Sequence, residues 1–310
     1  MTGLSHVRVG FVGAGQMGGP MVQRLLSAGA EVHLLARRPE VRQRFAGMGA
    51  VIEESLAALA GSASLLIACP FSEAQLLEIT DGPGGLITNA APGTVLVQHT
   101  TVSVATVEKL AADGRPLGVA VLDAPVSGTS QSILAGRLTV LVGGEAPARE
   151  RAVPALRTYS AAVIPTGDIG SATKIKLVNN LLYAANTQTV GAAVELGEAL
   201  GIRPGELLAA LTACSSSSFA LGILRELGDG GEFVRVAAPY LRKDVAVAER
   251  LAADLGVSTG VLGTVVHSGP FNITQEPEPL RRLPCSAPAR AGCSSTGSSS
   301  PRPTGRPTTT

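Results

Sequence analysis

Two polar side chains near the start of a long apolar segment are the first residues whose types and spacing suggest chemistry. The segment covers residues 170–200 without proline and carries Leu, Ile, Val or Ala on more than one face, which predicts a helix buried inside the protein. Lys176 and Asn180 are four residues apart, so they project from one face of that helix. A lysine beside an amide in apolar surroundings suits proton transfer and ligand binding. The alternative is a lysine that only extends to solvent from a helix end.

A glycine motif, GAGQMG, lies between the first predicted strand, Val7–Val12, and the helix after it. In GxGxxG the first glycine allows a tight turn, the second lets a pyrophosphate approach the backbone, and the third lets the helix pack closely on the strand. A helix from Met17 to about Ala28 directs its N-terminal amides at the phosphates. The motif predicts a dinucleotide site, and the alternative is a turn that serves packing only.

The residues after the second predicted strand, Glu31–Leu35, bear on which dinucleotide binds. An acidic residue here commonly holds the ribose 2′-hydroxyl of NAD, but this chain has Ala36 followed by Arg37 and Arg38. No carboxylate repels a 2′-phosphate, and a guanidinium can bind one bidentately. We therefore expect NADP in preference to NAD, with Arg37 as the ligand. The alternative is that both arginines belong to a solvated loop.

Strands and helices continue to alternate up to about residue 166, which predicts an open, mostly parallel sheet. Ligands in such sheets lie beyond the carboxyl ends of the strands. Thr101 follows the strand predicted at 94–98, and it is therefore expected near the nicotinamide. The turn Ser127-Gly128-Thr129 follows the strand at 119–123 and offers hydroxyls and backbone amides to an anion. His99 lies beside a strand end, and we expect it to be structural.

Composition narrows the class of protein further. The 310 residues carry a net charge of +1, which argues against a nucleic-acid or membrane-surface partner. The four cysteines lack metal-ligand spacing and suggest no disulfide framework. Polar residues interrupt the long apolar segment too often for a membrane span. Residues 1–10 show no signal peptide, so the reducing cytoplasm is the expected location.

Three segments, in this order, resemble the β-hydroxyacid dehydrogenase family, which includes 3-hydroxyisobutyrate dehydrogenase and tartronate semialdehyde reductase. They are VGFVGAGQMGGPM, LDAPVSGTSQSILAGRLTVLVGG and GSATKIKLVNN, and the resemblance spans about residues 5–262. Each segment is modest evidence alone, whereas three in register are specific.

The resemblance implies a role for each matching residue. Lys176 matches the catalytic lysine, with Asn180 beside it, and Lys174 is out of register. Ser127 and Gly128 match the loop that binds the substrate carboxylate, in which Thr129 replaces a glycine. The implied cofactor contacts, together with those from the glycine motif and the second strand, are Gly13, Ala14, Gly15, Gln16, Met17, Gly18, Arg37, Thr101 and Lys243.

From about residue 268 the chain is rich in Ser, Thr, Pro, Gly and Arg without periodicity, which predicts disorder. We therefore predict an α/β protein with three parts. Residues 1–168 form a Rossmann-like NAD(P)-binding domain with a mostly parallel sheet. Residues 169–262 form an all-helical domain for substrate and dimerisation, built on the long central helix. Residues 263–310 form a disordered tail.

The predicted function is an NAD(P)-dependent oxidoreductase acting on a small 3-hydroxy acid or its semialdehyde. The expected partners are a carboxylate-bearing small substrate and further copies of the chain, as a homodimer or higher homo-oligomer. Neither nucleic acid, membrane nor metal is expected. The alternatives are an imine or ketone reductase of the same architecture and a catalytically inactive NADP-binding homologue.

Overall fold

The structure, a computed structural model, describes Leu4 and residues 7–228 and 230–274 of the chain, and it describes residues 230–237 by their backbone only. The strands are β1 Arg8–Val12, β2 Glu31–Leu35, β3 Val51–Ile52, β4 Leu65–Ala68, β5 Val95–Gln98, β6 Ala120–Asp123, β7 Val126–Ser127, β8 Leu138–Gly143 and β9 Ser160–Gly167. The helices are α1 Gly18–Ser27, α2 Pro39–Ala46, α3 Leu56–Ser62, α4 Glu73–Thr80, α5 Leu86–Asn89, α6 Val104–Gly114, α7 Ser130–Leu134, α8 Ala146–Leu156, α9 Ser171–Ala199, α10 Pro204–Ala213, α11 Phe219–Leu227, α12 Gly230–Asp254 and α13 Gly260–Ser268, with a 3₁₀ turn at Arg115–Leu117.

The strands form one sheet in the order β3-β2-β1-β4-β5-β6-β8-β7, and β9 pairs with β8. Every pair from β3 to β6 along this order is parallel, whereas β8 runs antiparallel to β6 and β7. Strands β4 and β5 are buried along their whole length, as parallel strands covered on both faces require. The predicted Rossmann-like, mostly parallel sheet is confirmed.

The direction of strand order reverses between β1 and β4. The chain adds β2 and β3 on one side of β1 and then returns to place β4 on the other side. In open α/β sheets this switch point forms the crevice that receives the ligand. Residues that follow β1 and β4 therefore lie at the entrance of that crevice.

The 29-residue helix α9 organises the helical part of the chain and confirms the predicted long central helix. Its buried Leu177, Leu181 and Ala184 pack in one apolar cluster with residues of α11, α12 and α13. A different face remains at the surface, where Ile175, Val178 and Leu182 are between 46% and 63% exposed. The predicted homodimer stays a prediction.

The ordered helical part continues past residue 262, where the predicted helical domain ends. Helix α13 runs to Ser268, and Ile273 beyond it is fully buried in the helical core. The Gln188 side chain of α9 donates to the backbone oxygens of Val266 and Phe271, which fixes this segment on the core. Part of the predicted tail, 275–310, lies outside the described residues, and the domain division at 168 stays a prediction. Among the described helices, none combines the length and apolar character of a membrane span.

Candidate active site

The glycine turn after β1 has the backbone geometry that a dinucleotide needs. Gly13 has a φ of +97°, and a Cβ there would lie 2.4 Å from the carbonyl oxygen of Cys69. A Cβ on Gly18 would lie 2.1 Å from the Gly13 oxygen, so this glycine lets α1 sit close to the turn. At Gly15, by contrast, a Cβ would meet no heavy atom of the described chain within 4 Å. The turn is packed on one side and open on the other, where a pyrophosphate can approach.

A cleft of about 490 Å³ opens beside this turn. Ala14, Gly15 and Gln16 line one part of it, and no side chain of the described chain caps the N-terminus of α1 nearby. A helix N-terminus without a side-chain cap suits phosphate oxygens. The glycine turn, the open space and the helix end together fit a dinucleotide.

Two arginines line the cleft, but Arg37 is not one of them. Arg38 and Arg44 belong to its lining, whereas Arg37 is exposed outside it. Ala36 is buried at the end of β2, so no acidic side chain is present at that position. Arg38 occupies the N-cap position of α2 with an extended backbone and no capping side-chain hydrogen bond, and the chain turns there between the strand and the helix. Arg38 and Arg44 therefore place positive charge in the cleft, and the role of Arg37 in cofactor binding stays a prediction.

Helix α9 buries Lys176 and Asn180, which are 9% and 5% exposed, whereas Lys174 is exposed to solvent. Two residues along a helix point about 200° apart, so only one of the two lysines can face inward. The structure thus places inside the protein the lysine and the amide that the sequence analysis selected.

Asp123 at the end of β6 fixes the start of α9. Its carboxylate accepts hydrogen bonds from the backbone amides of Gly170 and Thr173, at 2.9 and 2.7 Å, and from the Thr173 hydroxyl at 2.9 Å. A carboxylate at a helix N-terminus pairs with otherwise unbonded amides and with the helix dipole. Lys176 lies one turn further along α9, so the hydrogen bonds of Asp123 fix its position relative to the sheet.

A buried carboxylate, Asp244 on α12, joins several predicted site residues. One of its oxygens accepts a hydrogen bond from the Asn180 amide nitrogen, and the other lies 2.7 Å from the Lys243 ammonium. Lys243 also donates to the carbonyl oxygen of Thr101 at 2.8 Å. This chain of contacts connects α9, α12 and the end of β5. It brings three of the predicted residues, Asn180, Lys243 and Thr101, into one place with a fourth residue that the sequence analysis did not assign.

The same surroundings alter the acidity of Lys176. Burial lowers the pKa of its ammonium from 10.5 to about 8, because the charged form loses water. The Asp244 carboxylate opposes this effect and raises the pKa, whereas the Lys243 ammonium lowers it further. A lysine with a pKa near 8 can both accept and donate a proton near neutral pH.

The loop predicted to bind the substrate carboxylate contains a short strand, a glycine with a positive φ and a helix cap. Val126 and Ser127 form β7, and Gly128 follows with a φ of +132°. The Thr129 hydroxyl accepts from the Ser132 amide in a capping box that starts α7. Its side chain is therefore engaged in helix capping. Among the described residues no hydrogen bond joins this loop to Lys176 or Asn180, and its role in substrate binding stays a prediction.

His99 is structural, as expected. It is 3% exposed, with its Nδ1 2.5 Å from the Ala124 carbonyl oxygen and its Nε2 2.9 Å from the Tyr159 hydroxyl. Burial lowers its pKa to about 4, so the ring is neutral at neutral pH. Nδ1 then donates to the carbonyl and Nε2 accepts from the tyrosine, which uses both ring nitrogens.

Asp123 and Asp244 are the site residues that sequence reasoning did not assign. Each had a signal in the sequence, because Asp123 begins the DAPVSG segment and Asp244 directly follows Lys243. Neither signal says which distant residue the carboxylate will meet. Only the folded chain brings them to α9.

Two family models match consecutive parts of the chain. Residues 8–167 match the NAD binding domain of 6-phosphogluconate dehydrogenase. Residues 170–268 match the model described as NAD-binding of NADP-dependent 3-hydroxyisobutyrate dehydrogenase. The first model covers the β1 turn and the sheet, and the second covers α9, α12 and α13.

Individual proteins agree with these matches. The chain is 31% identical over 216 residues to 2-(hydroxymethyl)glutarate dehydrogenase of Eubacterium barkeri, covering 69% of this chain and 71% of that protein. It is 28% identical over 264 residues to NAD-dependent L-serine dehydrogenase of Pseudomonas aeruginosa, covering 85% of this chain and 88% of that protein. A solved structure described as Psf3 in complex with NADP+ and 2-OPP aligns with a TM-score of 0.75 at 25% identity, covering 83% of this chain and 91% of that one.

The nucleotide-binding turn, the buried lysine and these matches lead to one assignment. The chain belongs to the β-hydroxyacid dehydrogenase family, and it is an NAD(P)-dependent dehydrogenase that acts on CH–OH groups.

Proposed function

We propose that the protein interconverts a small 3-hydroxy acid and its semialdehyde, with Lys176 as the acid–base residue and NADP as the preferred cofactor. The observation that carries the proposal is the burial of Lys176 beside Asn180, with a pKa of about 8. Lys243 contacts Thr101 at the end of β5, so the lysine side of the site meets the strand ends where the nicotinamide is expected.

The residues that would hold the cofactor are the glycine turn at Gly13–Gly18, Thr101 and Lys243. When bound, the nicotinamide accepts or supplies the hydride. The chain itself must hold the substrate in line and move one proton. During oxidation the neutral Lys176 amine accepts the hydroxyl proton, and during reduction the ammonium donates a proton to the carbonyl oxygen.

Asn180 has limited freedom in this mechanism. Its amide nitrogen donates to Asp244, and its oxygen accepts from the Asn179 side chain at 2.9 Å. An amide nitrogen carries two hydrogens, so one N–H remains to donate to the substrate oxygen. Ser127 and the Gly128 amide are proposed to hold the substrate carboxylate, which would fix the distance from the carbinol carbon to the nicotinamide.

The preference for NADP rests on charge in the cleft. Arg38 and Arg44 line it, and no carboxylate stands at position 36 to bind a ribose hydroxyl. A guanidinium can bind a 2′-phosphate bidentately. Exposed Arg37 lies next to Arg38 along the chain and adds positive charge at the same edge.

The test is oxidation or reduction of the nicotinamide, followed by absorbance, with NADPH and NADH separately and a panel of small 3-hydroxy acids and semialdehydes. We expect Lys176→Ala to lower kcat by on the order of two decades or more. Lys174→Ala is the matched control, because this exposed lysine lies two residues away on the opposite face. Equal activity of the wild type and Lys176→Ala would contradict the acid–base role. Bound NADPH without turnover of any substrate would instead favour an inactive homologue.

A further inference from the structure

Tyr240 of α12 reaches across to the sheet and contacts two loops there. Its hydroxyl donates to the side-chain oxygen of Gln16 at 2.7 Å. Its ring lies edge-to-face with Phe71, with ring centroids 5.2 Å apart and an angle of 73° between the planes. One side chain of the helical part thus holds both the glycine turn and the loop after β4.

These two loops mark the switch point of the sheet. Gln16 follows β1 and Phe71 follows β4, which are adjacent parallel strands with Val12 opposite Ala68. The crevice between their carboxyl ends is where a dinucleotide crosses an open α/β sheet. The Tyr240 contacts therefore span the mouth of the cofactor crevice.

The helix that carries Tyr240 is fixed nearby. Lys243, three residues later and on the same side of α12, donates to the Thr101 oxygen at the end of β5. Leu241 and Val245 are buried in the helical core and hold the backbone of α12 in place. Tyr240 thus projects from a helix whose position is determined by other contacts, and its ring is itself partly buried.

We propose that Tyr240 is a cofactor-positioning residue: its ring, held by Gln16 and Phe71, covers the dinucleotide at the switch point and slows its release. The hydroxyl bond to Gln16 orients the side chain of the glycine turn, and the contact with Phe71 closes the other side of the crevice. This role requires NAD(P) binding only, and it is independent of the substrate proposed above.

The test is the rate at which NADPH leaves the full-length protein, measured by stopped-flow fluorescence after dilution into excess NADP+, without substrate. Loss of one hydrogen bond predicts release about fivefold faster in Tyr240→Phe. Tyr240→Ala also loses the aromatic contact, and we expect release at least about tenfold faster. In a cycle with Gln16→Leu, the Tyr240→Phe change should have little further effect, because both substitutions remove the same bond.

The control is Tyr183→Phe, which removes a hydroxyl from a partly buried ring of α9 that contacts the exposed Phe219, and it should release NADPH at the wild-type rate. Thermal unfolding of each variant separates faster release from a weakened fold. Wild-type release rates in both Tyr240 variants would overturn the proposal. If Tyr240→Ala does not fold, Tyr240→Phe, which retains the ring, still provides the test. Independent effects of the Gln16 and Tyr240 substitutions would also overturn it. If the wild-type protein bound neither NADPH nor NADH, both the proposal and the cofactor assignment would fail.

Discussion

The two sides of the crevice are positioned by different means. On the sheet side, the backbone fixes the site: Gly13 and Gly18 allow a turn that no other residue could form, and the β1 ladder holds it. On the helix side, side chains fix the site, since Lys176 and Asn180 depend on carboxylates from β6 and α12. A backbone constraint leaves a local pattern in the sequence, which here is the spacing of the glycines. Side-chain contacts join distant residues, such as Asn180 and Asp244, which are 64 positions apart.

The strongest test of the sheet side separates two glycines of one turn. Gly13→Ala puts a Cβ into backbone atoms at a positive φ, and we expect it to destabilise the fold by on the order of 2 to 4 kcal/mol. Gly15→Ala has open space, so it should leave stability nearly unchanged and weaken NADPH binding about tenfold or more, because the methyl group occupies the phosphate side.

Denaturant unfolding and NADPH titration measure the two effects. Gly29→Ala is the matched control for backbone strain, since Gly29 has a φ of +84° with no heavy atom near its Cβ position. It should cost about 1 kcal/mol and leave binding intact. If Gly13→Ala and Gly29→Ala were equally stable, packing against Cys69 would not be the constraint.

The helix side is tested by removing a charge without changing shape. Asp244→Asn removes the carboxylate that raises the pKa of Lys176 and leaves the lowering effect of Lys243. The pKa of Lys176 should then fall below about 8. The pH profile of kcat/KM should move to lower pH in both directions of the reaction: the rising limb of oxidation and the falling limb of reduction report the same lysine.

Asp113→Asn is the control for this variant, because Asp113 is an exposed carboxylate that pairs with Lys109 on α6. It should leave the profile unchanged. An unshifted profile in Asp244→Asn would mean that Asp244 acts only through packing, and it would weaken the contrast between the two sides.

The parts of the fold that could be predicted are those with a strong local pattern. The bounds of β2 agree with the prediction, because Glu31–Leu35 is a short run in which buried and more exposed residues alternate. Helix α7 was not predicted, since it has only five residues and its first three, Ser130, Gln131 and Ser132, look like a polar turn. Helix α13, Gly260–Ser268, extends past the bound predicted at residue 262, and its sequence signal is weak because it is short and no described side chain caps its N-terminus.

The candidate site likewise has features that the sequence could predict and features that it could not. The register that favours Lys176 over Lys174 follows from helix periodicity and from the resemblance, and the burial of the two lysines agrees with it. The two arginines that line the cleft could not be chosen from sequence, because the chain turns at Arg38 between β2 and α2 and that turn affects which side chains face the cleft. Tyr240 carries no motif, and only the packing of α12 against the sheet reveals its contacts.

The buried Lys176 has a thermodynamic consequence for the whole molecule. Its pKa in the folded chain, about 8, lies below the 10.5 of an exposed lysine, so folding disfavours its charged form. The resulting penalty is present in full below pH 8, is on the order of 3 kcal/mol, and disappears as the pH rises through the interval between the two pKa values. Lys176→Met should therefore raise the free energy of unfolding at neutral pH, measured in denaturant, with an advantage that vanishes in alkali. At neutral pH, the protonated form of the lysine that the reaction uses therefore lowers the stability of the fold.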